Sequence, residues 1–168
     1  MARGAKQSAA ALARVWDIIE RARVCMLTTQ FDGGLRARPL EPRPDRNAGL
    51  ICFITDARSG KVGEIESEHD VGVVIIDESA KAYLSISGRA FSTRDPAKAA
   101  EVWRKTDEVW WHGPQDSNVR VLRFAPTVAE LWDGPASKAA VMYEFGKALA
   151  TGQPPDLGEN RKRTVTMR

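Results

Sequence analysis

The sequence predicts a mainly β domain of the α+β class, an antiparallel barrel with helices set outside it. Three observations predict it. Short apolar runs recur at close spacing, over 24–30, 35–40, 50–54, 71–76, 82–92, 119–125 and 128–132, bounded by Gly, Pro, Asp and Asn. The first two are joined by Phe31-Asp32-Gly33-Gly34, a strong hairpin turn because glycine permits positive φ. Helical periodicity is confined to a few separate stretches, which suits helices placed around a closed sheet.

In chain order, residues 8–22 carry Leu12, Val15, Trp16, Ile18 and Ile19 on one face and Arg14, Asp17, Glu20 and Arg21 on the other, an amphipathic helix that packs against the sheet. After the hairpin, Leu35 to Leu40 alternates so that Arg36 and Arg38 share one face. Two such charges repel unless solvent or a shared anion relieves them. Pro39 cannot donate to a ladder and marks an edge or a distortion. Pro42, Pro44, Asp45, Asn47 and Gly49 make the next loop.

Leu50 to Ile54 is a continuous apolar run, hence a buried strand, and Val71 to Ile76 is another. Between them lie Thr55-Asp56-Ala57-Arg58-Ser59-Gly60-Lys61 and a short helix bearing Val62 and Ile65. A helix start leaves N–H groups without partners and carries partial positive charge. A hydroxyl at Ser59, close backbone approach at Gly60 and a full charge at Lys61 would attract a phosphate there. The alternative is that Ser59 simply caps the helix and Lys61 is solvated.

Ala82 to Ser92 reads as a long strand. Asp95-Pro96 then starts a helix running to about residue 105. Trp103, Trp110 and Trp111 cluster among Glu101, Asp107 and Glu108; those acids would repel phosphates, so core or interface packing is expected. Pro126 separates two further strands, Trp132-Asp133-Gly134-Pro135 closes the second, and Ser137 opens a last helix.

With 168 residues, 43% hydrophobic and 28% charged, the chain is expected to be one domain over residues 1–158. Residues 159–168 form a basic tail without apolar periodicity, expected to be mobile. No apolar stretch is long enough for a membrane span. Residues 1–11 lack the apolar region of a signal peptide, so a cytoplasmic location is expected. Cys25 and Cys52 sit in apolar runs and are expected to pack rather than react. His69 and His112 have no Cys or His at ligand spacing, so neither a metal site nor a Ser-His-Asp system is expected. No side chain stands out as a catalytic acid or base. The net charge of +3 favours anionic partners mildly.

Taken in order, Arg38-Pro39-Leu40, then Phe53-Ile54-Thr55 with Ser59-Gly60-Lys61, then Val71 to Ile76, Tyr83 to Gly88 and Glu130-Leu131-Trp132-Asp133 resemble the flavin-binding split-barrel superfamily of pyridoxamine 5′-phosphate oxidase, in its general stress protein branch. The resemblance covers residues 12–158. It implies a six-stranded antiparallel split β-barrel with peripheral helices that forms a homodimer, with FMN held between subunits; FAD and a deazaflavin are alternatives. It further implies that Arg38, Ser59 and Lys61 contact the FMN phosphate, that Pro39, Leu40, Ile54 and Thr55 line the ring and ribityl region, and that Trp132 approaches the flavin of the neighbouring subunit.

Two departures narrow the activity. Gly60 stands where the oxidase has a basic residue, and Pro135-Ala136-Ser137-Lys138-Ala139-Ala140 lacks the His with which the oxidase grips its substrate. Synthesis of pyridoxal phosphate is therefore not expected. What remains is an FMN-binding oxidoreductase-like protein acting on an unidentified small molecule, with two alternatives. One is a non-enzymatic flavin-binding stress protein. The other, least favoured, is nucleic-acid binding through the tail and tryptophans.

Overall fold

The computed structural model describes residues 2–133, 138–155 and 161–167. Helix α1 (Ala2–Arg21) precedes the hairpin of β1 (Cys25–Phe31) and β2 (Gly34–Leu40), whose turn uses Gly33 at φ +84°. Strands β3 (Arg43–Asp45) and β4 (Leu50–Asp56) follow, then helix α2 (Gly60–Ser67) and strands β5 (Asp70–Asp77) and β6 (Ala82–Thr93). Helix α3 (Pro96–Val102) and a 3-10 turn, Lys105–Val109, lead into β7 (Val119–Asp133). Helix α4 (Lys138–Thr151) and strand β8 (Arg161–Thr166) complete the chain.

All pairings are antiparallel, in the order β2-β1-β5-β6-β7-β4-β3, with β8 on the far half of β7. The fold is therefore the expected α+β split barrel, with eight strands where six were expected. One addition is β3, three residues in the Pro-rich loop paired with β4. The other is β8, which corrects the expectation of a mobile basic tail: residues 161–166 pair with 128–133. Val165 and Met167 enter the core, while Lys162 reaches Glu130 at 2.7 Å. The alternation that buries Val165 and Met167 is only two residues long, too short to stand out beside Arg161, Lys162 and Arg163. The Gly134-Pro135 stop and the Ser137 helix start lie outside the described residues.

Strand β7 is continuous where two strands were expected. Pro126 is absorbed by a register shift, Ser87 facing Val128 and Gly88 facing Pro126, so that Thr127 is the extra residue of a bulge. Close approach fixes the residue opposite: a Cβ at Gly88 would collide with the Ala125 carbonyl oxygen and lie 2.8 Å from both the Phe124 ring and Pro126 Cα.

The continuous apolar run of β4 is explained by burial on both faces. Ile51 and Phe53 join the main core with Leu27, Val73, Leu84, Ile86, Phe124 and the buried stripe of α1. Cys52 and Ile54 face a second cluster with Ala99, Val119 and Val121, against which Trp103 and Trp111 pack. Those two indoles meet edge to face at 6.2 Å. Both cysteines are buried free thiols, and burial pushes the Cys25 thiol up to about 12. Among the described residues no helix is long and apolar enough to cross a membrane.

Candidate functional site

The end of β4, the start of α2 and the end of β2 converge on one cleft of about 520 Å³. Pro39, Leu40 and Ile54 form an apolar side, Thr55 and Lys61 a polar one, and Asp56 and Arg58 the adjoining rim. The opposite wall is Glu41 and Arg43 with Thr106, Asp107, Trp110 and Trp111 of the 3-10 segment. Five of the eight sequence-predicted site residues thus line one cavity: Pro39, Leu40, Ile54, Thr55 and Lys61.

Ser59 stands one layer behind. It holds the N-cap position of α2, yet its hydroxyl makes no capping bond; it accepts from Lys61 Nζ at 2.7 Å. Lys61 Nζ also donates to Thr55 Oγ1 at 2.8 Å. Burial first, then the nearby Arg38 charge, pull the Lys61 pKa below its ordinary 10.5. No carboxylate lies within ion-pair distance of this ammonium among the described residues. Asp56 and Glu64 act on the ammonium from beyond ion-pair distance, but its hydrogen bonds among the described residues go to two neutral hydroxyls, which leaves room for a closer anion.

Arg38 does not line the cleft. Alternation puts Arg36 and Arg38 on the face of β2 shared with Thr29 and Leu27 of β1, as their register shows. The shared anion that relieves them is Glu64 of α2. Arg38 Nη2 donates to both Glu64 oxygens at 2.6 Å, Arg36 Nη1 donates to Oε1 at 3.1 Å, and Thr29 Oγ1 donates to Oε2 at 2.5 Å. Arg38 Nη1 adds a bond to Thr29 Oγ1 at 2.7 Å. Burial opposes ionisation of Glu64, but the bonds from Arg38 and Thr29 outweigh it and hold the carboxyl below its usual range.

The acids that line the cleft are satisfied as well. The Arg58 guanidinium holds Asp56 well below the usual carboxylate range, through bonds of 2.7 and 2.9 Å. Arg43, 5% exposed, donates to buried Asp107 at 3.0 Å and to Glu41 at 3.0 Å. Asp107 in turn accepts from the Arg104 N–H at 2.8 Å, while its carbonyl receives the N–H groups of Trp110 and Trp111. This pins the 3-10 segment and presents Trp110, 76% exposed, at the mouth of the cleft. Sequence reasoning assigned Trp110 to packing with its neighbours; nothing in the local pattern separates it from Trp111.

Trp132 is not part of this cleft. It lies on the outer sheet face opposite Tyr83, with the Lys162 ammonium 5.5 Å from its ring centroid. Among the described residues no group of three His, Cys, Asp or Glu side chains could hold a metal ion.

The cleft can seat an elongated molecule with a flat apolar part against Pro39, Leu40 and Ile54 and an anionic end at Lys61. Among the described residues the cleft's carboxylates, Glu41, Asp56 and Asp107, are each held by an arginine, and Lys61 is left as a titratable cation without an ion pair.

Comparison with known proteins agrees with this fold. Among solved structures, a protein described as a general stress protein 26, from Jannaschia sp. CCS1, is 29% identical, with 94% of this chain and 99% of that one covered and a TM-score of 0.73. General Stress Protein 26 from Bacillus anthracis str. Sterne shares the fold at 19% identity, with 72% and 92% coverage and a TM-score of 0.66. So does the general stress FMN/FAD binding protein from Xanthomonas citri, at 23% identity, 71% and 86% coverage and a TM-score of 0.64. The comparison with curated proteins gives no match. A family model described as "Pyridoxamine 5'-phosphate oxidase like" matches residues 10–156, so the chain belongs to that family.

Proposed function

We propose that the chain is a cytoplasmic, homodimeric flavin-binding protein, with FMN as the first candidate and FAD or a deazaflavin as alternatives, and that the bound flavin serves redox chemistry on a small molecule. One observation carries the reading: the Lys61 ammonium, half-buried beside Ser59 and Thr55, has no carboxylate within ion-pair distance among the described residues, at the polar end of a cleft with an apolar side. The residues present therefore fit a nucleotide phosphate at Lys61, Ser59 and Thr55, with the flat ring towards Pro39, Leu40 and Ile54. The flavin supplies hydride or electron exchange; the protein orients it, shields one side from water and balances its charge. Family membership and the FMN/FAD-binding relative from Xanthomonas citri support the same reading.

A second copy would cover the outer sheet face. Met26 faces Val74, Ile76 faces Tyr83, and Tyr83 faces Trp132, giving an apolar strip that is exposed on β1, β5 and β6 and half-buried at Trp132 of β7. A strip of this kind marks an interaction surface. Burying it against a partner would carry Trp132 to the subunit boundary, where the family resemblance puts it.

The experiment is direct. The full chain is purified, its absorbance and mass in solution are recorded, and any released pigment is identified; the stripped protein is then titrated with FMN, FAD and riboflavin. A yellow dimer that prefers FMN to riboflavin is expected. A colourless protein that binds none of the three refutes the reading. One observation favours a purely binding role: Asp56, Asp107 and Glu41 are each tied to an arginine, so among the described residues the cleft offers no free carboxylate to carry a proton. Bound flavin that NADH and NADPH do not reduce would establish that role.

A further inference from the structure

We propose that Glu64 is a built-in competitor for the ligand's phosphate, holding Arg38 away from the anion so that the anchor stays singly charged and the cofactor exchangeable. The proposal rests on the flavin-nucleotide reading above.

Lys61 and Glu64 lie three residues apart on α2, a spacing at which they could pair with each other. They do not. Lys61 turns to the two hydroxyls at the end of β4 and α2, and Glu64 turns to β1 and β2, where it takes Arg36, Arg38 and Thr29. The carboxylate makes the contacts a phosphate would make: both oxygens on one guanidinium, a second guanidinium and a hydroxyl. Arg38 nevertheless stands close enough to Lys61 to act on its ammonium electrostatically, as do Asp56 and Glu64 in the opposite sense. The cluster thus holds a second cation beside the anchor, already neutralised. Removing the Glu64 charge would free Arg38 to add a charge-assisted bond to the ligand.

The test compares wild type, Glu64→Gln and the double variant Glu64→Gln/Arg38→Gln as stripped full-length protein, each titrated with FMN and with riboflavin, which has the same ring and no phosphate. Glu64→Ala is carried in parallel in case the amide disturbs folding, and carries the same expectation. The expected result is roughly tenfold tighter FMN binding and slower FMN release in Glu64→Gln. Riboflavin affinity should be unchanged, and the double variant should return towards wild type.

Unchanged or weaker FMN binding in both single variants overturns the proposal, because Glu64 would then be positioning Arg38 rather than withholding it. An equal gain for FMN and riboflavin overturns it as well, since the phosphate would not be involved. If wild type binds neither flavin, the functional reading fails by itself. Glu64 is then judged with inorganic phosphate: a larger phosphate-induced rise in melting temperature for Glu64→Gln than for wild type supports the competitor role, and equal rises refute it.

Discussion

Replacing Lys61 by Met removes the ammonium while keeping most of the stem that packs against the cleft. In the structure this cation has two neutral acceptors, at 2.7 and 2.8 Å, and no ion-pair partner among the described residues. Its contribution to the unliganded protein is therefore small: relief of a half-buried charge offsets the bonds lost by the Thr55 and Ser59 hydroxyls, and stability should change by about 1 kcal/mol or less. A bound phosphate changes the balance. A charge-assisted hydrogen bond contributes about 1.5–3 kcal/mol, which predicts roughly 10- to 150-fold weaker FMN binding in Lys61→Met. Riboflavin should bind both proteins alike.

Because the Lys61 pKa is below 10.5 in the free protein, wild-type FMN affinity should fall as pH rises through that lowered value, with proton uptake on binding in this range. The Met variant should be flat there. Fluorescence titrations of both flavins across alkaline pH, with a denaturant curve for each protein, read all of this. Equal losses for FMN and riboflavin, or an unchanged FMN affinity, would show that Lys61 does not meet the phosphate.

Three further predictions concern the frame that shapes the cleft. Gly88→Ala places a methyl group against the Ala125 carbonyl and the Pro126 backbone, so β6 and β7 must part at the bulge; a loss of about 3 kcal/mol or more is expected in urea unfolding, and a loss under 1 kcal/mol would refute the close approach. Asp107→Ala leaves the buried Arg43 guanidinium with Glu41 as its remaining carboxylate, which should cost about 3 kcal/mol and free the 3-10 segment, measurable as a changed Trp emission spectrum. Cys25 and Cys52 should ignore a thiol reagent at pH 8 in the native protein and both react in denaturant; fast native labelling of Cys25 would contradict a thiol pushed up to about 12.

Most strands were legible because each carries its own record. Period-two alternation marks β2 and β6, a continuous apolar run marks β4 and β5 (although in β5 Val74 and Ile76 prove exposed), and the Asp32-Gly33 turn fixes the first hairpin without help from distant residues. What escaped depends on partners far along the chain. Strand β3 holds Pro44 and only three residues, and exists because β4 offers it an edge. Strand β8 reads as a charged tail until Glu130 neutralises Lys162 and the main core accepts Val165. Pro126 looked like a break because a single sequence does not show that Gly88, 38 positions earlier, leaves room for a bulge.

The candidate site divides along the same line. The meeting of Ser59 and Lys61 is local, within three residues at a helix start, and local chemistry points to it; that Thr55, expected to line the ring and ribityl region, also accepts from Lys61 Nζ is a contact the structure adds. The fate of Arg38 is not local. Two arginines on one strand face call for solvent or a shared anion, and which of these it is, and whether the anion is the ligand's or the protein's own, depends on where α2 directs position 64. The sequence rule that i,i+3 charges pair would assign Glu64 to Lys61; the fold overrides it, because the β1–β2 hairpin presents two guanidiniums and Thr29 where Lys61 presents one ammonium. The anchor's net charge, and with it the strength of anion binding, is thus a tertiary property: it is set by which cation the acid on α2 chooses rather than by how many cations the motif contains.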